Sequence, residues 1–182
     1  NIFVWVGSYN LLSTRRLSFL LLIRDNTAMT IAVDMPVPEF TAQATNDTTV
    51  TLSGLTGKNV VIYFYPKDNT PGCTTEGKDF RDHIAGFEAA NTVIFGVSRD
   101  SLRVHTNFKA KHEFPFELIS DPDEELCKLF DVIKLKKNYG KEYMGIERST
   151  FLINAEGKLA QEWRKVKVKG HVEEVLEAAQ AL

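Results

Sequence analysis

The chain has 182 residues, of which 43% are apolar, and its 22 basic and 24 acidic side chains leave a formal net charge of −2. This length and composition predict one globular domain with a single core and exclude a disordered or collagen-like chain. The near-neutral charge gives no electrostatic reason to expect nucleic acid as a partner.

Residues 1–28 differ in character from the rest of the chain. The apolar run Leu17–Ile23 is far too short to span a bilayer, so we expect no membrane insertion. The arginines and serines of this segment loosely resemble a transit peptide, whereas a signal peptide fits less well because Arg24 follows the apolar run. The slightly favoured interpretation is translated upstream sequence, with the protein starting at Met29. We therefore treat these residues as an extension of uncertain status and 29–182 as a single domain.

The remainder of the chain alternates predicted strands with predicted helices. Apolar, β-branched and helical spacings predict, in chain order, an extended entry and hairpin (36–52), a buried strand (59–65), a helix (76–87), a strand (91–98), a helix (101–111), a short strand (116–119), a helix (121–130), a hairpin (149–154 and 158–168) and a last helix (171–181). The first hairpin is expected to turn at Asn46. This order predicts an α/β sandwich, a mixed sheet with helices on both faces.

The cysteine count indicates the redox compartment. Only Cys73 and Cys127 are present, too few for a disulfide framework, which favours a reducing compartment such as the cytoplasm; organelle import through residues 1–28 is left open. No cysteine and histidine cluster has the spacing of metal ligands. The scattered histidines are each expected at the surface: His83, His105, His112 and His171.

Cys73 stands where a predicted strand is followed by a predicted helix. Thr70 or Gly72 can cap that helix, and Pro71 has a fixed φ suited to its first turn. The unpaired N–H groups and the dipole of a helix start favour a negative charge, so the sulfur is expected to be a nucleophilic thiolate. The alternative is a small apolar residue packed at a helix start, but the flanking residues favour an exposed turn.

The run Tyr65-Pro-Lys-Asp-Asn-Thr-Pro-Gly-Cys-Thr-Thr75 resembles the Pro-x-x-x-Thr-x-x-Cys signature of peroxiredoxins, in the bacterioferritin comigratory protein or peroxiredoxin Q branch. The likeness continues, in the same order, through Ile94–Ser101, Leu126–Ile133, Gly145–Leu152 and Trp163–Val168. It implies a thioredoxin fold, a mixed central sheet flanked by helices, with an N-terminal β-hairpin added. It also implies a thiol-dependent peroxidase that reduces hydrogen peroxide and organic (alkyl) hydroperoxides without metal or flavin.

The resemblance further implies the roles of individual residues. Cys73 would attack the peroxide and become a sulfenic acid. Thr70 would aim its hydroxyl at thiolate and peroxide besides capping the helix, and Pro66 would shield the pocket or merely end the strand. Arg148 matches the active-site arginine of the family; without the resemblance it would be a surface arginine. Glu76 is a candidate for the rim of the pocket.

The chain departs from its relatives at the resolving cysteine. Both positions that usually carry it are lysine here, Lys78 and Lys109, so the resemblance implies reduction of Cys73 by an external thiol: thioredoxin, or glutathione with glutaredoxin. Cys127 lies among apolar residues and is expected to be buried and structural, with an unconventional resolving role as the alternative. The protein is expected to be a monomer. A thiol–disulfide oxidoreductase, which would lack a CxxC pair, and a redox-linked holdase remain alternative functions.

Overall fold

A mixed sheet forms the centre of the computed structural model, which describes residues 31–182. The interpretations of residues 1–28 therefore lie outside the described residues. The strands are β1 (Thr41–Ala44), β2 (Thr48–Thr51), β3 (Asn59–Phe64), β4 (Thr92–Ser98), β5 (Glu117–Ser120), β6 (Ile133–Asn138), β7 (Lys141–Ile146), β8 (Ser149–Ile153) and β9 (Leu159–Trp163). The α-helices are α1 (Pro71–Asp82), α2 (Ile84–Ala89), α3 (Leu102–His112), α4 (Glu125–Leu129) and α5 (His171–Gln180).

Seven of these strands form one sheet in the order β2-β1-β5-β4-β3-β8-β9. Strand β4 runs parallel to both β3 and β5, whereas β8 is antiparallel to β3 and to β9. The added hairpin β1–β2 pairs with β5 and turns at Asn46 and Asp47, both in the left-handed region. The predicted α/β class, mixed sheet and N-terminal hairpin are confirmed.

Strand β3 divides the core into two parts. It is buried on both faces, and its side chains alternate between two apolar clusters. Val61 and Tyr63 belong to the cluster that contains Cys73, together with residues of α1, α3 and α5. Val60 and Ile62 belong to the other cluster, which contains Cys127 of α4. The two cysteines therefore lie on opposite faces of the sheet.

Several helix boundaries differ from the prediction. The helix after β3 begins at Pro71, as the cap and proline signals predicted, but it is interrupted at His83 before α2 begins. Helix α4 is shorter than predicted because Glu124 is left-handed (φ 60°). The carboxylate of Asp121 instead accepts hydrogen bonds from the backbone N–H groups of Leu126 and Cys127, at 3.2 and 2.7 Å.

Two β regions also differ. The second strand of the last hairpin was predicted to reach residue 168, but β9 ends at Trp163 and Lys165 is left-handed (φ 51°). The hairpin β6–β7 was not predicted at all. It turns at Tyr139 and Gly140, both at positive φ, as a tight hairpin requires.

The expectation that every histidine lies at the surface is wrong for His105 and His171, which are 0% and 4% exposed. Each is buried because its ring has polar partners: Asp68 and a backbone carbonyl for His105, and the Thr150 hydroxyl for His171. In the part of the chain that the structure describes, no helix is long and apolar enough to cross a membrane.

Candidate active site

Cys73 lies in the first turn of α1, at the end of the loop that leaves β3. Thr70 is the N-cap residue with extended backbone (φ −91°, ψ 150°), and Pro71 occupies the first helical position. The fixed φ of proline favours a helix start there, and its missing N–H would have no partner in any case. The Cys73 side chain is buried, with 2% of the residue exposed, so its sulfur sits below the surface at the positive end of the helix.

Arg148 contacts this sulfur directly. It lies between β7 and β8, and its Nη2 donates to Cys73 Sγ at 3.3 Å. Its Nη1 donates to the carboxylate of Glu76. A Cβ atom at Gly72 would come within 3.3 Å of Nη2, so glycine leaves room for the guanidinium at the helix start. One planar guanidinium thus bridges the thiol and a carboxyl, as only arginine can.

Glu76, one turn after Cys73, is completely buried. Burial raises its pKa to about 7, although the Arg148 guanidinium opposes this rise. Burial would lower the pKa of Arg148, but Glu76 and Cys73 raise it above the usual value, so the guanidinium stays charged. Near neutral pH the Glu76 carboxyl therefore exchanges between two forms, and its charged form competes with a Cys73 thiolate for the same guanidinium.

Replacing Glu76 with glutamine is expected to remove a pH dependence of stability. The folded pKa, about 7, lies above the ordinary 4.5, so the folded state keeps a proton that the unfolded chain has released. The protonated Glu76 carboxyl therefore contributes fully to the free energy of unfolding below pH 4.5. This contribution, about 3 kcal/mol, is lost as the pH rises through the folded pKa of about 7.

Urea unfolding of wild type and Glu76→Gln at about pH 5 and about pH 8 measures this contribution. Wild type should lose stability relative to the variant at the higher pH. Parallel changes in the two proteins would contradict the raised pKa of Glu76.

Thr70 and Pro66 stand on the loop that precedes the helix, and both are half-buried. The Thr70 hydroxyl donates to the carbonyl of Lys67 at 2.9 Å and does not cap the helix through its side chain. The structure thus brings Cys73, Arg148 and Glu76 into contact. It places Thr70 one turn before the sulfur, with its hydroxyl engaged in the loop.

The comparisons with known proteins identify the family. A model described as the AhpC/TSA family matches residues 33–162. Peroxiredoxin Bcp of Bacillus subtilis is 56% identical over 149 residues, which cover 82% of this chain and 95% of that protein. Peroxiredoxin Bcp of Xanthomonas campestris is 58% identical over 134 residues, which cover 74% and 84%. The chain belongs to the AhpC/TSA family of peroxiredoxins.

Solved structures agree with this assignment. The bacterioferritin comigratory protein of Xanthomonas campestris, studied for its alkyl peroxide reduction activity, is 54% identical and superposes with a TM-score of 0.75 over 78% of this chain and 90% of that one. A cysteine-to-serine mutant of Xylella fastidiosa PrxQ gives a TM-score of 0.79 at 45% identity, covering 83% and 96%. The peroxiredoxin Q branch and its thioredoxin fold are therefore confirmed, and this peroxiredoxin is a thiol-dependent peroxidase.

Two polar groups near the peroxiredoxin site were missed by the sequence reasoning. Lys136 of β6 is half-buried, and its pKa is lowered by burial and by the charge of Arg148, which places a second cation near the site. His171 of α5 has a pKa lowered to about 4 by burial and again by Arg148. The lysine-rich run 134–137 was the only available signal for Lys136, and nothing in the sequence marks His171.

A cavity of about 570 Å³ lies elsewhere in the peroxiredoxin domain. Its lining includes Phe40, Leu126 and Leu129, with Asp121 and Asp123 among its acidic residues, and it includes none of the residues that contact the Cys73 sulfur. The site is therefore identified by the thiol and guanidinium pair and not by cavity volume.

Proposed function

We propose that this peroxiredoxin reduces hydrogen peroxide and alkyl hydroperoxides through Cys73, and that an external thiol completes the cycle. The single observation that carries the proposal is the contact of Arg148 Nη2 with Cys73 Sγ, 3.3 Å long, in the first turn of a helix. Both the guanidinium and the helix dipole favour the thiolate, which is the nucleophile. The alkyl peroxide reduction activity studied in the Xanthomonas campestris relative supports this class of substrate.

The first step is a displacement at the terminal peroxide oxygen. The Cys73 thiolate forms an S–O bond as the O–O bond breaks, which leaves a sulfenic acid and an alkoxide or hydroxide that takes a proton to become alcohol or water. Arg148 is well placed to stabilise the charge that moves from sulfur to the departing oxygen. The Thr70 hydroxyl, two residues before Gly72, would hold the peroxide in line, and Pro66 would limit the access of water.

The second step needs a thiol from outside the chain. That thiol condenses with the sulfenic acid, releasing water and forming a mixed disulfide, and a second thiol then restores Cys73. The two usual resolving positions are Lys78 and Lys109, and the Lys109 ammonium pairs with the Glu117 carboxylate. Thioredoxin, or glutathione with glutaredoxin, is the proposed reductant. We place this cycle in the cytoplasm, in a monomer.

Intact-mass measurement after one equivalent of peroxide, with and without glutathione, tests the proposal. A gain of one oxygen without glutathione and a glutathione adduct with it are expected. An unchanged mass would contradict peroxide reduction through Cys73. A loss of two hydrogens, with no oxygen gained, would show an internal disulfide and contradict the external thiol.

Replacing Cys127 with serine is expected to retain peroxide reduction with external thiols and to lower stability modestly. Cys127 is fully buried, and burial followed by its hydrogen bond to Asp121 raises the pKa of its thiol, which keeps it uncharged and unreactive. It lies on the opposite face of β3 from Cys73, so the two sulfur atoms cannot meet without unfolding.

Non-reducing peptide mapping of wild type after stoichiometric peroxide provides the check. Rapid formation of a linked Cys73–Cys127 peptide would make Cys127 a resolving residue and would contradict the one-cysteine cycle.

A further inference from the structure

The loop from Pro66 to Thr70 is held by a buried polar cluster that the chemistry above does not use. Of the loop residues only Asp68 is buried, and its side chain has no exposed surface. Its Oδ1 accepts a hydrogen bond from the Tyr65 hydroxyl at 2.7 Å, and its Oδ2 lies 2.7 Å from Nδ1 of His105. Both carboxyl oxygens are thus engaged by side chains inside the protein.

The partners of Asp68 attach the loop to other elements. His105 belongs to α3, and its Nε2 lies 3.1 Å from the carbonyl oxygen of Ile119 in β5. A carbonyl only accepts, so Nε2 carries a proton and Nδ1 is left to face the carboxyl group. The backbone N–H of Asp68 also donates to Asp100 at 2.9 Å. The loop is therefore fixed to α3, to β5 and to the end of β4.

Burying this polar cluster costs folding free energy that apolar residues at the same positions would not cost. Burying an imidazole and a carboxyl removes both from water, and well-packed apolar side chains at such positions are often as stable or more stable. The cluster acts on the segment that ends in Thr70 and Cys73, two and five residues after Asp68. A small displacement of reacting groups slows a reaction by large factors, so the position of this segment matters more for rate than for folding.

We propose that Asp68 and His105 are positioning residues for peroxide reduction. The pair fixes the Pro66–Thr70 loop so that the Thr70 hydroxyl keeps its place relative to the Cys73 sulfur when the peroxide binds. This inference rests on the proposed function of Cys73. It assigns a role to a histidine whose position in the sequence gave no sign of one.

Two amide replacements of His105 separate positioning from packing. In His105→Asn the amide group lies near the former Nδ1 and can bond to Asp68, whereas in His105→Gln it lies near the former Nε2 and reaches Ile119 instead. Both variants lose the ring. The rate constant for oxidation of Cys73 by peroxide is measured beside the rate of its alkylation by iodoacetamide, which needs the thiolate but no aligned peroxide.

We expect His105→Gln to lose at least about tenfold in the peroxide rate while His105→Asn stays within about threefold of wild type, with similar alkylation rates in both. The control is Thr92→Val, which removes a buried hydroxyl that donates to the carbonyl of Ala90 at 3.0 Å, at the start of β4 and thus at the opposite end of that strand from the loop. It should lower the melting temperature and leave both rates unchanged.

Equal losses in the two His105 variants, or peroxide and alkylation rates that fall in parallel, would overturn the positioning role. If either variant fails to fold, Tyr65→Phe provides a second test, because it removes only the hydroxyl that donates to Asp68. It should lower the rate of oxidation by peroxide and leave the alkylation rate unchanged; an unchanged peroxide rate counts against the proposal. A wild-type protein whose Cys73 is not oxidised by peroxide would instead contradict the proposed function, so the two failures are distinguishable.

Discussion

Replacing Cys73 with serine is expected to abolish peroxide reduction, leaving less than about one per cent of the wild-type rate. A serine hydroxyl is scarcely ionised at neutral pH, so Arg148 and the helix start have no nucleophilic anion at position 73 to stabilise. The fold should persist, because serine is slightly smaller than cysteine and the residue lies in the first turn of a helix. Peroxide consumption with dithiothreitol as reductant measures the loss.

Cys127→Ser is the matched control for this variant, since it removes the other buried thiol on the opposite face of β3. The two serine variants should have melting temperatures within a few degrees of each other, but only Cys73→Ser should lose activity. If activity survives in Cys73→Ser and disappears in Cys127→Ser, the nucleophile is Cys127 and our proposal is wrong.

The start of α1 shows how much of the site could be predicted from the sequence. The β-branched run before Pro66, the capping position of Thr70 and the fixed φ of Pro71 are local signals, and together they place Cys73 in the first helical turn, as the structure does. The contact of Cys73 with Arg148 joins residues far apart in the chain. It was predicted only through the resemblance, because pattern alone indicated a surface arginine.

The two buried histidines show why the remainder could not be predicted. His105 shares a helical face with Phe108, and that spacing suits a buried residue, but the ring needs the carboxyl of Asp68 from the loop between β3 and α1. His171 likewise needs Thr150 from β8. Such partners are set by the tertiary fold, and a single sequence does not show which loop meets which helix.

The β6–β7 hairpin was missed for a different physical reason. Its exposed apolar side chains Leu135 and Met144 are direct cross-strand partners, and neither is buried. The alternation of apolar residues and lysines from Ile133 to Lys136 spans only four residues, which is a weak strand signal. The hairpin nevertheless leads directly into the segment that carries Arg148 and places Lys136 near it.

Replacing Arg148 with alanine is expected to slow oxidation of Cys73 by peroxide about a hundredfold or more, as for removal of one donor from an oxyanion site. The variant loses the donor to Cys73 Sγ and also leaves Glu76 buried without its partner, so the pKa of Glu76 should rise above its present value of about 7. Arg148→Lys keeps the positive charge but loses the planar guanidinium, whose two terminal nitrogen atoms donate in fixed directions. It should recover part of the rate, because one ammonium group cannot serve the carboxyl and the sulfur with the same geometry.

The double variant Arg148→Ala, Glu76→Gln separates the two effects of losing this guanidinium. Neutralising the carboxyl should restore stability that Arg148→Ala loses by leaving a buried group unpaired, but it should not restore the peroxide rate. Recovery of the rate in the double variant would mean that Arg148 serves only to neutralise Glu76. Its contact with the sulfur would then have no part in the reaction, and the displacement would depend on the helix start and Thr70 alone.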